Sequence, residues 1–221
     1  MTPPEIIPTP RLLLRKPIAP DDALPIFASY AADSAVTRYL PWRPHYNVEE
    51  SLRILRTRLE WWDEGREYSW VIVHRTARVI VGMVTASGEE SATRYDLGYV
   101  LAREHWGRGY ATEAARAVID ALLALPDVNR ICARVDRDNT ASMRVLEKAG
   151  LQRETLLPRS SVQPAIGRTA RDCWSYARSR GHLPKVVSVS RPGCGGPLAV
   201  DAGEKTGPGS ASALPSTAGA V

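Results

Sequence analysis

Two hydrophobic periods alternate along the chain, and they divide it into strands and helices. Leu12 to Leu14 form a short apolar run within Arg11–Arg15, which reads as a first strand. Asp21 and Asp22 predict the cap of a helix that tolerates Pro25 in its first turn. Asn47 with Glu50 makes a capping-box-like start for a second helix, and Gly65 ends it. Within that helix Leu52, Leu55, Leu59 and Trp62 share one face. Trp70–His74 and Val79–Ser87 read as a hairpin, with Tyr95–Leu101 as a third antiparallel partner. The next helix has the strongest pattern: Ala111, Ala114, Ala115, Val118, Ile119 and Leu122 recur at helical spacing. Arg130–Val135 is then a strand, Asn139–Ala149 a helix stopped at Gly150, and Leu151–Leu157 and Asp172–Arg178 are closing strands. A strand, a glycine turn, a long helix and a strand make a βαβ unit, so Tyr95–Leu101 and Arg130–Val135 should run parallel. The result is an α/β protein with a mixed sheet and helices on its faces.

Residues 181–221 break this pattern. They are rich in Gly, Pro, Ser and Ala, carry neither period, and contain no aromatic residue. Such a segment cannot bury enough apolar surface to offset its ordering entropy, so it reads as a disordered tail after a domain of residues 9–180. In the 221-residue chain no apolar stretch approaches the roughly 18 residues of a membrane span. Its N-terminus lacks the basic patch and apolar run of a secretory signal, which leaves a cytoplasmic protein as the expectation. Cys132, Cys173 and Cys194 have no metal-ligand spacing, and no metal is expected. Net charge is +5, but the arginines are scattered among acidic residues rather than clustered, which argues against nucleic acid as a partner.

Chemistry concentrates at His105-Trp106-Gly107-Arg108-Gly109-Tyr110-Ala111-Thr112, between a strand and the best helix. Two glycines and an alanine leave several backbone N–H groups free to turn to one ligand, beside the positive end of a helix dipole. That is a seat for a phosphate or pyrophosphate, although the glycine spacing differs from the dinucleotide fingerprint and the P-loop. A plain strand-to-helix turn would look the same locally. Asn139 opens the following helix at the carboxyl end of the second parallel strand, where α/β sheets tend to bind ligands; by itself it is an N-cap.

These motifs together resemble the GNAT superfamily of N-acyltransferases, and within it the branch of the ribosomal-protein N-terminal acetyltransferases. The superfamily's pyrophosphate motif is Q/R-x-x-G-x-G/A; Gly109 and Ala111 fill its small positions and Trp106 replaces the leading Gln/Arg. The branch's D-N-x-x-S-x-x-V-L-E-K-x-G-F block matches Asp138–Gly150, with Leu151 in place of the aromatic. The likeness extends from about residue 9 to 178.

The resemblance implies a mostly antiparallel sheet of six to seven strands, flanked by about four helices, with a central parallel pair splayed around acetyl-CoA. Backbone from His105 to Thr112 would hold the pyrophosphate, edge groups at Val100 and Leu101 the pantetheine arm and the oxyanion, and Asn139 and Ser142 would contact the arm or lie near its sulfur. Arg103 and Arg108 would be supplementary phosphate contacts or simply solvated. Acetyl would pass directly to a primary amine, of a protein N-terminus or a small molecule, in a ternary complex. Asp96 or Glu154 would serve as base, directly or through water, unless each is a surface carboxylate. Many relatives place a tyrosine as general acid where this chain has Leu146, leaving Ser142 or water to protonate the thiolate. His45 and Tyr46 lie in a loop that commonly shapes the acceptor pocket, whereas Trp62 and Trp70 suit the core. The alternative is a non-catalytic acyl-CoA-binding protein, and an exposed strand edge offers a route to a homodimer.

Overall fold

The computed structural model describes residues 1–88 and 93–181. Its strands are β1 (Ile6–Pro8), β2 (Leu12–Arg15), β3 (Glu67–His74), β4 (Ile80–Gly88), β5 (Arg94–Leu101), β6 (Arg130–Asp136), β7 (Gln152–Ser161) and β8 (Arg171–Ser179). They form one sheet in the order β1-β2-β3-β4-β5-β6-β8-β7, so the strand count exceeds the expected six to seven. The helices are α1 (Ala19–Ile26), α2 (Ser34–Thr37), α3 (Val48–Asp63), α4 (Tyr110–Leu123) and α5 (Thr140–Lys148). The expected tail and Cys194 lie outside the described residues, whose helices are nowhere long and apolar enough to cross a membrane.

The elements missed by sequence reasoning are short. Three residues of β1 pair with β2, from Ile6 opposite Arg15 to Pro8 opposite Leu13, too few for a period to show. Four residues make α2, capped by Asp33, which accepts the N–H of Ala35 at 2.8 Å. The start of α1 also needs correction. It begins at Ala19 with Pro20 in its first turn, where a missing N–H costs nothing. Asp22 does not cap it from outside; its carboxylate reaches back to the Ile18 N–H at 2.7 Å and pairs with Arg15 on β2. Pro25 lies near the end of α1 rather than in its first turn, and the helix then widens into a π-helical turn at Phe27–Ala31.

Other signals hold as read. Asn47 accepts the N–H of Glu50 at 2.9 Å at the head of α3, and Gly65, at φ +73°, follows its end. The six periodic residues of α4 are all buried. Trp62 and Trp70 are core residues, packed edge to face with centroids 5.1 Å apart.

Alternation assigns the two faces of the sheet. Tyr95, Leu97, Tyr99 and Leu101 of β5 pack with α4 and α5 in one apolar cluster, whereas Val100 joins Val71, Met83 and Leu55 in a second, under α1 and α3. All neighbouring strands are antiparallel except β5 and β6. That parallel pair holds over only three positions, Arg94–Asp96 against Arg130–Cys132, after which the strands part. The gap between them, framed by the N-termini of α4 and α5, is the candidate site.

Candidate active site

Backbone direction along β5 decides what lines the gap. The carbonyl of Thr93 accepts the N–H of Asn129 at 2.8 Å, and the N–H of Ala102 binds the carbonyl of Val81 at 2.9 Å. Odd-numbered residues of β5 therefore turn their backbone towards β6 and even-numbered ones towards β4. Beyond Asp96, this aims the N–H groups of Tyr99 and Leu101 into the gap. Val100, expected to share that edge, instead gives its backbone to β4 and its side chain to the pocket under α3. The approach of β4 is tight: a Cβ on Gly82 would stand 2.2 Å from the Val100 carbonyl oxygen.

The glycine turn follows β5. A single helical turn at Arg103–His105 leads to Gly107 and Gly109, whose φ angles of +71° and +78° suit glycine. Gly109 is the N-cap of α4 and offers no side chain, and the first helical bond runs from Glu113 N–H to the Gly109 carbonyl at 3.1 Å. The N–H groups of Tyr110, Ala111 and Thr112 thus precede that bond without a side-chain cap, at the positive end of the dipole. The aromatic side chains around the turn face the protein. Tyr110 is buried, with Arg11 over its ring at 4.7 Å. The His105 ring is half-buried beside Glu104 and Tyr110, and burial lowers its pKa. The Trp106 indole donates to the Leu101 carbonyl at 2.9 Å, closing one polar group of the gap. Arg103 and Arg108 are exposed.

Arg11 holds this turn from behind, a role with no local sequence signal. Its guanidinium donates to the Arg108 carbonyl at 2.9 Å and pairs with Glu113 at 2.7 Å, while Glu113 also accepts the Thr9 hydroxyl at 2.7 Å.

On the other rim Asn139 caps α5, accepting the Ser142 N–H at 3.1 Å. The hydroxyls of Ser142 and Tyr99 lie 2.6 Å apart, and the Tyr99 hydroxyl is also 3.1 Å from the Ser142 carbonyl oxygen. Both residues are buried, and burial pushes the Tyr99 phenol up, so it stays protonated at neutral pH. Leu146 is packed in the core. Tyr99 was missed as a site residue; its place in the Tyr95–Leu101 alternation was the available signal.

The two candidate bases fare differently. Glu154, on the outermost strand β7, receives Arg130 at 2.6 Å on both oxygens. Arg130 begins β6, at the closed end of the parallel pair, so Glu154 stands away from the gap. Asp96 faces the same side as Val100, 3.4 Å from Arg134 and 3.8 Å from Arg94. It stands four positions before Val100, about 13 Å of strand.

Side chains on this face form cross-strand rows. Glu67, Ser87 and Asp96 make one, Ser69, Thr85 and Gly98 the next, and Val71, Met83 and Val100 the third. Glu67 is buried and fully engaged: it pairs with Arg58 and accepts the hydroxyls of Ser69 at 3.0 Å and Ser87 at 2.8 Å. Above these rows, α1, its π-helical turn and α3 enclose a pocket of about 90 Å³. His45 lines it, with Nδ1 2.7 Å from the Ser51 hydroxyl and its ring 5.1 Å from Trp42. Burial pushes the His45 pKa down to about 4, so the ring is neutral at pH 7. Tyr46, by contrast, is exposed under the Arg43 guanidinium.

Residues 11–152 match the acetyltransferase (GNAT) domain family. The chain belongs to the GNAT acetyltransferase family. It is 33% identical over 153 residues to YoaA, an uncharacterised N-acetyltransferase of Bacillus subtilis (strain 168), covering 69% of this chain and 85% of that one. Among solved structures, Mycobacterium smegmatis RimJ in complex with CoA-disulfide superposes with a TM-score of 0.72 at 25% identity, covering 84% of this chain and 93% of RimJ. The ribosomal L7/L12 α-N-protein acetyltransferase RimL, in complex with coenzyme A, gives 0.71 at 20% identity, covering 79% and 98%, and shows the shared fold. The protein is thus an acetyltransferase of a family that acylates amines.

Proposed function

We propose that the protein transfers acetyl from acetyl-CoA, lying between β5 and β6, directly to a primary amine that enters from the pocket under α1 and α3. The observation that carries this reading is continuity: Tyr99 turns its backbone to the gap, while Tyr99 and Val100 both line the pocket. Uncapped N–H groups of Tyr110, Ala111 and Thr112, on the turn from His105 to Gly109, suit the pyrophosphate of CoA. The N–H groups of Tyr99 and Leu101 suit the pantetheine arm and the oxyanion of the tetrahedral intermediate. Asn139 shapes the rim beside the sulfur, and the paired hydroxyls of Ser142 and Tyr99 supply the proton to the departing thiolate. Asp96 reaches the amine only through water, and its ion pairs make it the end of a proton path rather than a direct base. Glu154 has no part in this mechanism.

The buried Leu146 favours a second reading, a non-catalytic acyl-CoA-binding protein, and the Tyr99–Ser142 pair weighs against it because it restores a proton donor. The names of RimJ and RimL point to protein N-termini as one class of acceptor, and small amines are the other. A cytoplasmic setting fits both. Gly109→Glu tests the seat: the strained side chain and added carboxylate should abolish acetyl-CoA binding in calorimetric titration while leaving the circular dichroism melt cooperative. Retained affinity in that variant would remove the glycine turn from the mechanism.

A further inference from the structure

The pocket beside the gap has a chemical character that selects among amines. Its walls are apolar and aromatic, with Ile26, Tyr30, Leu40, Trp42, Ile54 and Val100 among them. The π-helical turn at Phe27–Ala31 carries Tyr30 into this wall. Among the described residues, Arg58 is the sole lining residue with a formal charge at neutral pH, and that charge is positive. Its counter-ion, Glu67, accepts from Arg58, Ser69 and Ser87, which occupies both of its oxygens. His45, neutral because it is buried, neither repels an incoming ammonium nor offers a negative charge. A second ammonium in this pocket would lose its hydration, meet a guanidinium and find no carboxylate free to pair with it. An apolar group there would instead replace several waters against aromatic surface.

We infer that the acceptor is a primary amine on an apolar or aromatic body without a second cationic group, so that polyamines and aminoglycosides are excluded by the pocket. This rests on the acetyl-transfer reading above and specifies the acceptor class within it. The step balances without a further reactant: the amine nitrogen forms a C–N bond, the C–S bond breaks, and the proton lost by the amine is matched by the one gained by the thiolate.

The test uses the full-length protein with 2-phenylethylamine and spermidine as acceptors, read as CoA release. The expected wild-type kcat/KM for 2-phenylethylamine exceeds that for spermidine by at least about tenfold. Ile54 is half-buried on the lining face of α3, so Ile54→Glu adds a carboxylate to the pocket wall, and it should narrow that ratio by about fivefold or more. A wild-type preference for spermidine, equal use of the two amines, or a ratio unmoved by Ile54→Glu would overturn the inference. Binding is read separately by fluorescence. Saturable quenching by 2-phenylethylamine that is missing in Trp42→Phe and insensitive to spermidine supports the pocket even where turnover is absent or Ile54→Glu fails to fold. No such quenching in a protein that turns over neither amine counts against it. Loss of acetyl-CoA binding would instead strike the reading of the reaction, and calorimetric titration reports that independently.

Discussion

The hydroxyls of Ser142 and Tyr99 lie 2.6 Å apart and both residues are buried; the proposed mechanism makes this pair the proton donor to the departing thiolate. A thiolate leaves readily without help, so the pair is expected to contribute modestly. Ser142→Ala should lower kcat by about tenfold, below the usual range for general acid catalysis, with little change in KM for acetyl-CoA. Tyr99→Phe should act in the same direction, and the double variant should be less than additive because the two hydroxyls work as a unit. Full activity in both single variants would leave protonation to water. His45 supplies a pH prediction. Its pKa is near 6.5 in the unfolded chain and about 4 in the fold, where burial disfavours the charged ring. The unfolded chain therefore takes up the proton first as pH falls. The stability contributed by the neutral ring is complete above pH 6.5 and lost progressively towards pH 4. Its neighbours are Glu50, which favours the charged form, and Arg43, Arg53 and Arg58, which oppose it. Melting temperature should fall between pH 6.5 and 4.5, and His45→Gln should flatten that fall. Half-buried His105, also shifted down by burial, accounts for a residual slope. Identical slopes in the two proteins would contradict the assignment.

At the scale of elements, the proposed cofactor seat depends on chain far from it in sequence. Arg11 and Glu113 tie the β1–β2 connection to the glycine turn through the Arg108 carbonyl and the Arg11 backbone N–H. Arg11→Ala should raise KM for acetyl-CoA by about tenfold, the equivalent of one charge-assisted contact set, while kcat changes little. An unchanged KM would mean that the turn holds its shape through Gly107 and Gly109 alone. This contact also marks where sequence reading stops. Asn47, Asn139, Gly65 and the alanine face of α4 were legible because caps and helical periods are local. Arg11 sits in an apolar tripeptide's flank and shows nothing until β2 and α4 are side by side. The same holds for Glu67, a glutamate in a strand whose partners Arg58 and Ser87 come from other elements. The start of α1 was misread because Asp22 resembles a cap but reaches back from inside the helix. The ion pair that occupies Glu154 was likewise hidden, because its partner Arg130 is 24 residues away.

On the scale of the molecule, the parallel strands flanking the βαβ unit could be read from order alone, whereas their separation after three positions could not. Beyond that point α4 and α5 pack against β5 and β6 in one apolar cluster, and Tyr99 spans to Ser142. One sheet of eight strands then presents two faces, and the proposed mechanism gives them two tasks, the acetyl donor seated by α4 and α5 and the acceptor admitted under α1 and α3. The measurement that tests this division most directly is calorimetric titration of the full-length protein with acetyl-CoA, followed by CoA release against a panel of primary amines and N-terminal peptides. The account predicts micromolar binding of acetyl-CoA that Gly109→Glu abolishes, together with turnover on at least one acceptor. Absence of binding, or binding that survives Gly109→Glu, would contradict it.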